Sequence, residues 1–155
     1  MPPKRRLVIG SVEPVDIPSF GLFGLEARVD TGAHTSALHV ENLTELGGGR
    51  VAFEVRPARG RGVKRRLVAT VSRRGQVRAS TGALASRVFV ATRVQLGPVL
   101  RRIEIGLVDR RRMEFRMLLG RSALAGYFVV DPALDRTLGE KSTSGPARKR
   151  RPGSA

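Results

Sequence analysis

Five short stretches of this chain carry apolar residues on alternate positions: Leu25, Ala27 and Val29; Val51, Phe53 and Val55; Leu67, Ala69 and Val71; Val88, Val90 and Val94; and Ile103, Ile105 and Leu107. Successive side chains of a strand point to opposite faces, so a period of two makes each stretch a strand with one buried face. Gly47-Gly48-Gly49, Gly60-Arg61-Gly62, Gly75 and Gly97-Pro98 punctuate these runs as turns. Short strands with glycine-rich turns at this spacing predict an all-β domain that closes, or nearly closes, into a barrel. One short helix is expected at Ser122 to Ala125, ending near Gly126, with Val129-Val130-Asp131-Pro132 leaving as a last strand. Ser36 to Leu46 fits strand and helix equally, and no internal repeat is present.

A chain of 16.8 kDa with 41% apolar and 27% charged residues fits one domain with a real core. The reading divides it into a basic N-terminal segment at 1–7, a barrel domain at 8–135, and a disordered basic tail at 136–155, where Ser, Gly, Pro and cations dominate. No apolar run approaches the roughly 18 residues of a membrane span. Leu7-Val8-Ile9 follows Lys4-Arg5-Arg6 but stops at Gly10 and meets Glu13, which is too short for a secretory signal, so a cytoplasmic product is expected. The chain has no cysteine, which excludes disulfides, thiolate metal sites and a cysteine nucleophile.

Lys and Arg number 29 against 13 acids, a formal charge of +16. Such an excess points to nucleic acid, an acidic polypeptide or an anionic surface as partner, or, because Arg dominates and Lys occurs only at 4, 64, 141 and 149, reflects genomic base composition. The runs Arg56 to Arg66 and Arg110-Arg111-Arg112 read as loops between strands. Six Phe, one Tyr and no Trp leave little for a base-stacking platform, which argues against nucleic acid.

The alternating approach Leu25, Ala27, Val29 ends in Asp30-Thr31-Gly32-Ala33. This grouping suits the active-site turn of an aspartic protease: a carboxylate to activate water, a short hydroxyl beside it, and a glycine that lets backbone approach the carboxylate closely. Alone, the tripeptide also fits a solvent-exposed turn in which Asp bonds its own backbone. Far downstream, Met117-Leu118-Leu119-Gly120-Arg121 reads as an apolar strand ending in Gly-Arg, followed by Ser122-Ala123-Leu124-Ala125 as a helical turn.

These blocks together resemble a bacterial retropepsin-like family labelled ATP-dependent zinc proteases. The resemblance rests on Val29 to His39 and on Met113 to Leu124, with Val77 to Gly82 between them, and spans about residues 8 to 132. It implies a closed acid-protease barrel and a homodimer, because one Asp-Thr-Gly supplies one carboxylate while the chemistry uses two that share a proton. Asp30 would then be the general acid/base, Thr31 would stiffen the pair across the two-fold axis, and Gly32 and Ala33 would admit the peptide or protein substrate. Leu119, Gly120 and Arg121 would support the loop. Gln76 to Arg87, with Ser80-Thr81-Gly82 at its tip, occupies the place of a flap over the cleft, or is an ordinary hairpin. Some family members accompany ATP-grasp ligases that add glutamate to proteins, which makes such a ligase or its product a possible partner.

The sequence departs from the viral enzymes at His34, where an acid usually pairs with the arginine of Gly-Arg. Arg121 must therefore find another acceptor. His34 and His39, the two histidines, lie five apart, on opposite faces of a strand or about 140° apart on a helix, and no cysteine or His-Glu-x-x-His completes a zinc site. No Gly-Lys-Ser/Thr phosphate loop and no Gly-x-Ser-x-Gly elbow is present, so neither metal nor cofactor is expected. Asp16, Asp109, Asp131 and Asp135 remain as acids that could pair with Asp30 within one chain. The rival class is a catalytically silent barrel that binds an acidic polypeptide or nucleic acid.

Overall fold

A computed structural model of the chain describes residues 5–57, 63–78, 81–109 and 114–139. Six strands close the barrel in the order β10 (Val99–Val108), β4 (Ser36–His39), β11 (Met117–Leu119), β3 (Leu22–Val29), β2 (Val12–Ile17) and β9 (Leu84–Leu96), and β9 pairs back onto β10. A seventh strand, β8 (Arg73–Arg78), joins β9 outside the ring. The fold is all-β and closed, as the alternation predicts, and among the described residues it has one short α-helix, α1 (Arg121–Leu124).

The period of two does the work here. In β2, Glu13, Val15 and Ile17 point inward while the intervening residues do not. Pro14 is tolerated because β2 meets β9 at Asp16 and leaves its N-terminal half without that neighbour. On β9 and β10, Val90, Val94, Ile103, Ile105 and Leu107 turn into the core, where they meet Met117 and Leu119 of β11.

Two smaller sheets flank the barrel. β1 (Leu7–Ile9) runs parallel to β12 (Phe128–Val130), and β5 (Glu41–Gly47), β6 (Arg50–Val55) and β7 (Arg65–Thr70) form a three-stranded sheet. Phe53 of β6 docks that sheet on Phe20, which a 3₁₀ turn at Pro18–Phe20 presents edge-on at 5.5 Å and 72°. Such a pair contributes about 0.5–1.5 kcal/mol beyond the area it buries.

Several local expectations shift. Ser36 to Leu46 is two strands, broken at Val40. Gly75 is not a turn: it lies inside β8, where a Cβ would sit 2.9 Å from the Arg73 guanidinium and 3.3 Å from the Phe89 ring. Arg65 and Arg66 belong to β7 instead of a loop, the helix starts one residue earlier at Arg121, and the last strand ends at Val130. Gly60-Arg61-Gly62, Arg110 to Arg112 and the tail from Glu140 onward lie outside the described residues.

Residues 136–138, on the tail side of the sequence division, lie against β2. The fully buried Glu13 carboxylate receives Gly10 N at 2.7 Å, Thr137 N at 3.0 Å, Thr137 Oγ1 at 2.7 Å and Leu138 N at 2.9 Å.

Candidate active site

The loop 30–35 leaves β3 at Val29 and enters β4 at Ser36, and β11 is threaded between those two strands, parallel to β3 and antiparallel to β4. This threading puts Gly120 and Arg121 directly behind the loop. Asp30 N donates to Leu119 O at 2.9 Å, Arg121 N to Ala33 O at 2.8 Å, and Ser122 N to His34 O at 3.0 Å. Arg121 also donates from its guanidinium to Thr31 O at 2.9 Å, so the arginine holds the loop by a backbone carbonyl where no acid is available at position 34.

Gly120 is required at this seam. A Cβ there would lie 2.4 Å from Thr35 O and 2.5 Å from its carbonyl carbon, and both are backbone atoms. Its N–H donates instead to the buried Ser36 Oγ at 3.1 Å. Ser36 escaped the sequence reading; a small hydroxyl at a core-facing strand position next to the loop was the available signal.

At the loop itself Asp30 is half-buried, and Thr31 and Gly32 are exposed. Gly32 N donates to Asp30 Oδ1 at 3.0 Å and Ala33 N to Asp30 O at 3.2 Å, so the turn bonds its own carboxylate. Among the described residues no cation pairs with Asp30, and the Thr31 hydroxyl makes no hydrogen bond. Among the described residues, Asp30 Oδ2 and the Thr31 hydroxyl thus have no hydrogen-bond partner.

The other acids have partners of their own. Asp16 Oδ1 receives Gly24 N at 2.7 Å, Asp131 Oδ1 receives Ala133 N at 2.9 Å, and Asp135 lies 3.4 Å from Arg136. Asp109 Oδ1 is 3.6 Å from Nδ1 of the buried His39, whose Nε2 is 3.8 Å from Glu41. Among the described residues no group of three or more His, Cys, Asp or Glu side chains could hold a metal ion.

β8 and β9 form a hairpin from the Arg73↔Phe89 pair out to Arg78↔Leu84. Thr81 and Gly82 lie exposed at its end, where Arg78 donates to Gly82 O at 3.0 Å; Ser80 lies outside the described residues. At its base Arg87 packs its stem over Gly106, and burial pulls the guanidinium below the ordinary arginine value. A cavity of about 450 Å³ opens beside the loop, lined by His34, Thr35 and Ser122 on one side and by Arg73, Arg102 and Glu104 on the other. Arg73 is fixed there by Glu104 at 3.1 Å and by the Phe89 ring, whose centroid is 3.9 Å away. Neither Arg102 nor Glu104 stood out in the sequence, where they are two charges among many.

The comparisons agree with this geometry. A crystal structure of Lpg0085 from Legionella pneumophila, a protein of unknown function, superposes with a TM-score of 0.71 at 29% identity, over 86% of this chain and 99% of that one. Proteins named probable alpha-L-glutamate ligase are also similar. Those of Shewanella pealeana and Desulfotalea psychrophila are 36% and 37% identical over 88% and 87% of this chain, but only 31% and 30% of their own length is covered. The chain therefore spans about a third of the curated relatives it matches. The model of the retropepsin-like aspartic endopeptidase RimB matches residues 8–141, which include the loop, the strand threaded behind it and the hairpin. By that match over most of its length, the chain belongs to the RimB-like family of retropepsin-like proteins.

Proposed function

We propose that the protein is an aspartic endopeptidase whose active site is completed by a second copy, each copy contributing Asp30. The observation that carries this reading is the Asp30 carboxylate itself: half-buried, presented on a loop that β11 braces from behind, and facing no cation among the described residues.

The chemistry follows from bringing two such loops together. Two carboxylates at about 3 Å cannot both ionise, so the pair keeps one proton. The ionised Asp30 takes a proton from a water held between them, the water oxygen attacks the peptide carbonyl, and the protonated Asp30 donates to the oxygen that becomes anionic. Collapse of the tetrahedral intermediate breaks the C–N bond as the leaving nitrogen takes a proton back from the pair. The Thr31 hydroxyl, on an exposed residue and without a hydrogen bond among the described residues, reaches the partner's loop. Gly32 and Ala33 border the cleft, and the β8–β9 hairpin, with Thr81 and Gly82 at its described end, closes over the substrate.

A second reading is a silent barrel that holds an acidic polypeptide, favoured by the charge of +16. The names of the relatives bear on both readings. A glutamate ligase or its glutamate-bearing product is a fitting partner for a basic domain similar to one third of such proteins. Asp30→Asn separates the two: loss of peptide-bond cleavage with unchanged binding of the acidic partner supports the peptidase, and a wild-type protein that binds but never cleaves supports the silent barrel.

A further inference from the structure

β7 pairs with β6 along its whole length and, among the described residues, with no other strand. One bond decides which of its groups are left over. Val71 donates its N–H to Gly49 O at 2.8 Å, just beyond the Thr70↔Arg50 pair. Bonded and non-bonded pairs alternate along an antiparallel ladder. Leu67, Ala69 and Val71 therefore bond towards β6, and Arg66, Val68 and Thr70 turn their N–H and C=O groups to the open edge.

That edge carries no proline, its register with β6 shows no bulge, and Val68 is 49% exposed; Arg65 and Arg66 charge its first two positions, which guards it against a like-charged strand and leaves it open to an acidic one. It borders a groove of about 430 Å³ whose near wall is the unbroken run Leu67 to Ser72 and whose far wall includes Ser19, Thr92 and Arg102. Six residues of strand correspond to about 20 Å of extended chain. No acid lines the groove, and Arg102 is its one charged side chain among the described residues. Arg102 also lines the cavity beside His34 and Thr35, and Ser72 of the groove is the chain neighbour of Arg73 in that cavity. The two hollows thus share a wall, which joins the loop after Asp30 to the β7 edge.

We propose that this joined trough is an exosite: an extended segment of the polypeptide substrate, remote from the bond to be cut, adds to β7 as a fourth strand and sets a carboxylate against Arg102. Main-chain bonds to Arg66, Val68 and Thr70 supply affinity, and the side chain at Arg102 supplies selectivity. A second copy is the poorer occupant, because edge-to-edge pairing would bring two sets of Arg65, Arg66 and Arg102 together. The identity of the bound segment as substrate rests on the peptidase reading; the edge geometry does not.

The test uses the full chain and a proline-free 12-residue peptide alternating Glu and Thr, with a Lys/Thr peptide as its counterpart. Amide exchange at Arg66, Val68 and Thr70 is expected to slow by about tenfold or more with the Glu/Thr peptide, while Leu67 and Ala69, already bonded to β6, do not change. Val68→Pro removes an outward N–H without touching the β6 ladder and is expected to weaken binding by about tenfold. Arg102→Gln leaves the backbone intact, is expected to weaken binding about threefold and to flatten its salt dependence, and decides the matter if the proline variant does not fold. Four results overturn the exosite: no binding up to about 1 mM, protection confined to the Asp30 loop and the hairpin, equal binding by both variants, or edge protection that rises with protein concentration in the absence of peptide. Cleavage is scored separately. Edge protection without any cleavage leaves the exosite standing and removes the peptidase, whereas cleavage without edge protection does the reverse.

Discussion

Replacing Gly120 with alanine places a methyl group 2.4 Å from Thr35 O, where ordinary contact begins at 3.4 Å. The clash is with backbone on one side and with a threaded strand on the other, so relief requires the loop and β11 to part by about 1 Å. The bonds that cross this seam, Arg121 N to Ala33 O at 2.8 Å and Ser122 N to His34 O at 3.0 Å, would open beyond hydrogen-bond range. Two lost backbone bonds cost about 1–3 kcal/mol and the overpacking about 1–3 kcal/mol more, for a total of about 2–6 kcal/mol. For a domain of this size that is a fall in Tm of at least about 4 °C, read by calorimetry or circular dichroism. In protein that remains folded, amide exchange at Arg121 and Ser122 should accelerate before that of the β9 core. A Gly120→Ala protein within about 2 °C of wild type, with those two amides still protected, would refute the claim that the strand braces the loop by close approach.

Gly32→Ala is the milder counterpart, because its methyl would meet only Asp30 Oδ1, at 3.2 Å. Tm should stay within about 3 °C while cleavage drops by about tenfold or more, and unchanged turnover contradicts the role given to the turn. Glu13→Ala strands four donors around a fully buried site and should cost about 3–5 kcal/mol, against about 1–3 kcal/mol for Glu13→Gln, which keeps one acceptor oxygen. Equal denaturation midpoints for the two variants would show that the latch on residues 136–138 contributes little. Glu41 carries the pH prediction. Desolvation pushes its carboxyl up, but Lys64 at 3.3 Å and Arg56 at 3.0 Å outweigh this and hold it below the ordinary value of 4.5. Its contribution, at most about 1 kcal/mol for such a pair, is therefore full above that value and lost as pH falls through the lowered one. Glu41→Gln should be less stable than wild type at pH 7 and indistinguishable from it near pH 2; a gap that is constant with pH argues against the pairing.

The parts legible in the sequence are those in which local pattern and tertiary environment agree. Val51, Phe53 and Val55 alternate because they line the fully buried face of β6, and Met117-Leu118-Leu119 is apolar because its strand is paired on both edges in the barrel wall, with Met117 and Leu119 fully buried. β5 was ambiguous for the opposite reason: six of its seven residues are exposed, so no buried face imprints a period on it. The threading of β11 between β3 and β4 leaves no local trace, since it joins residues some ninety positions apart. Glu13 read as a charge interrupting an apolar stretch, yet it is fully buried, because three of its four donors arrive from 124 and 125 positions away. At the loop, the tripeptide Asp30-Thr31-Gly32 was conspicuous, while Ser36 and Arg102 take their meaning only from what stands beside them.

The central claim is that one active site needs two copies of Asp30, and mixing wild type with Asp30→Asn tests it most directly. The two proteins are mixed at constant total concentration, allowed to exchange subunits, and assayed for peptide cleavage against the wild-type fraction. If both carboxylates are required, activity follows the square of that fraction and an equal mixture retains about one quarter. A straight line, with about one half retained, would mean that each chain works with its own carboxylate, and the shared dyad would be wrong.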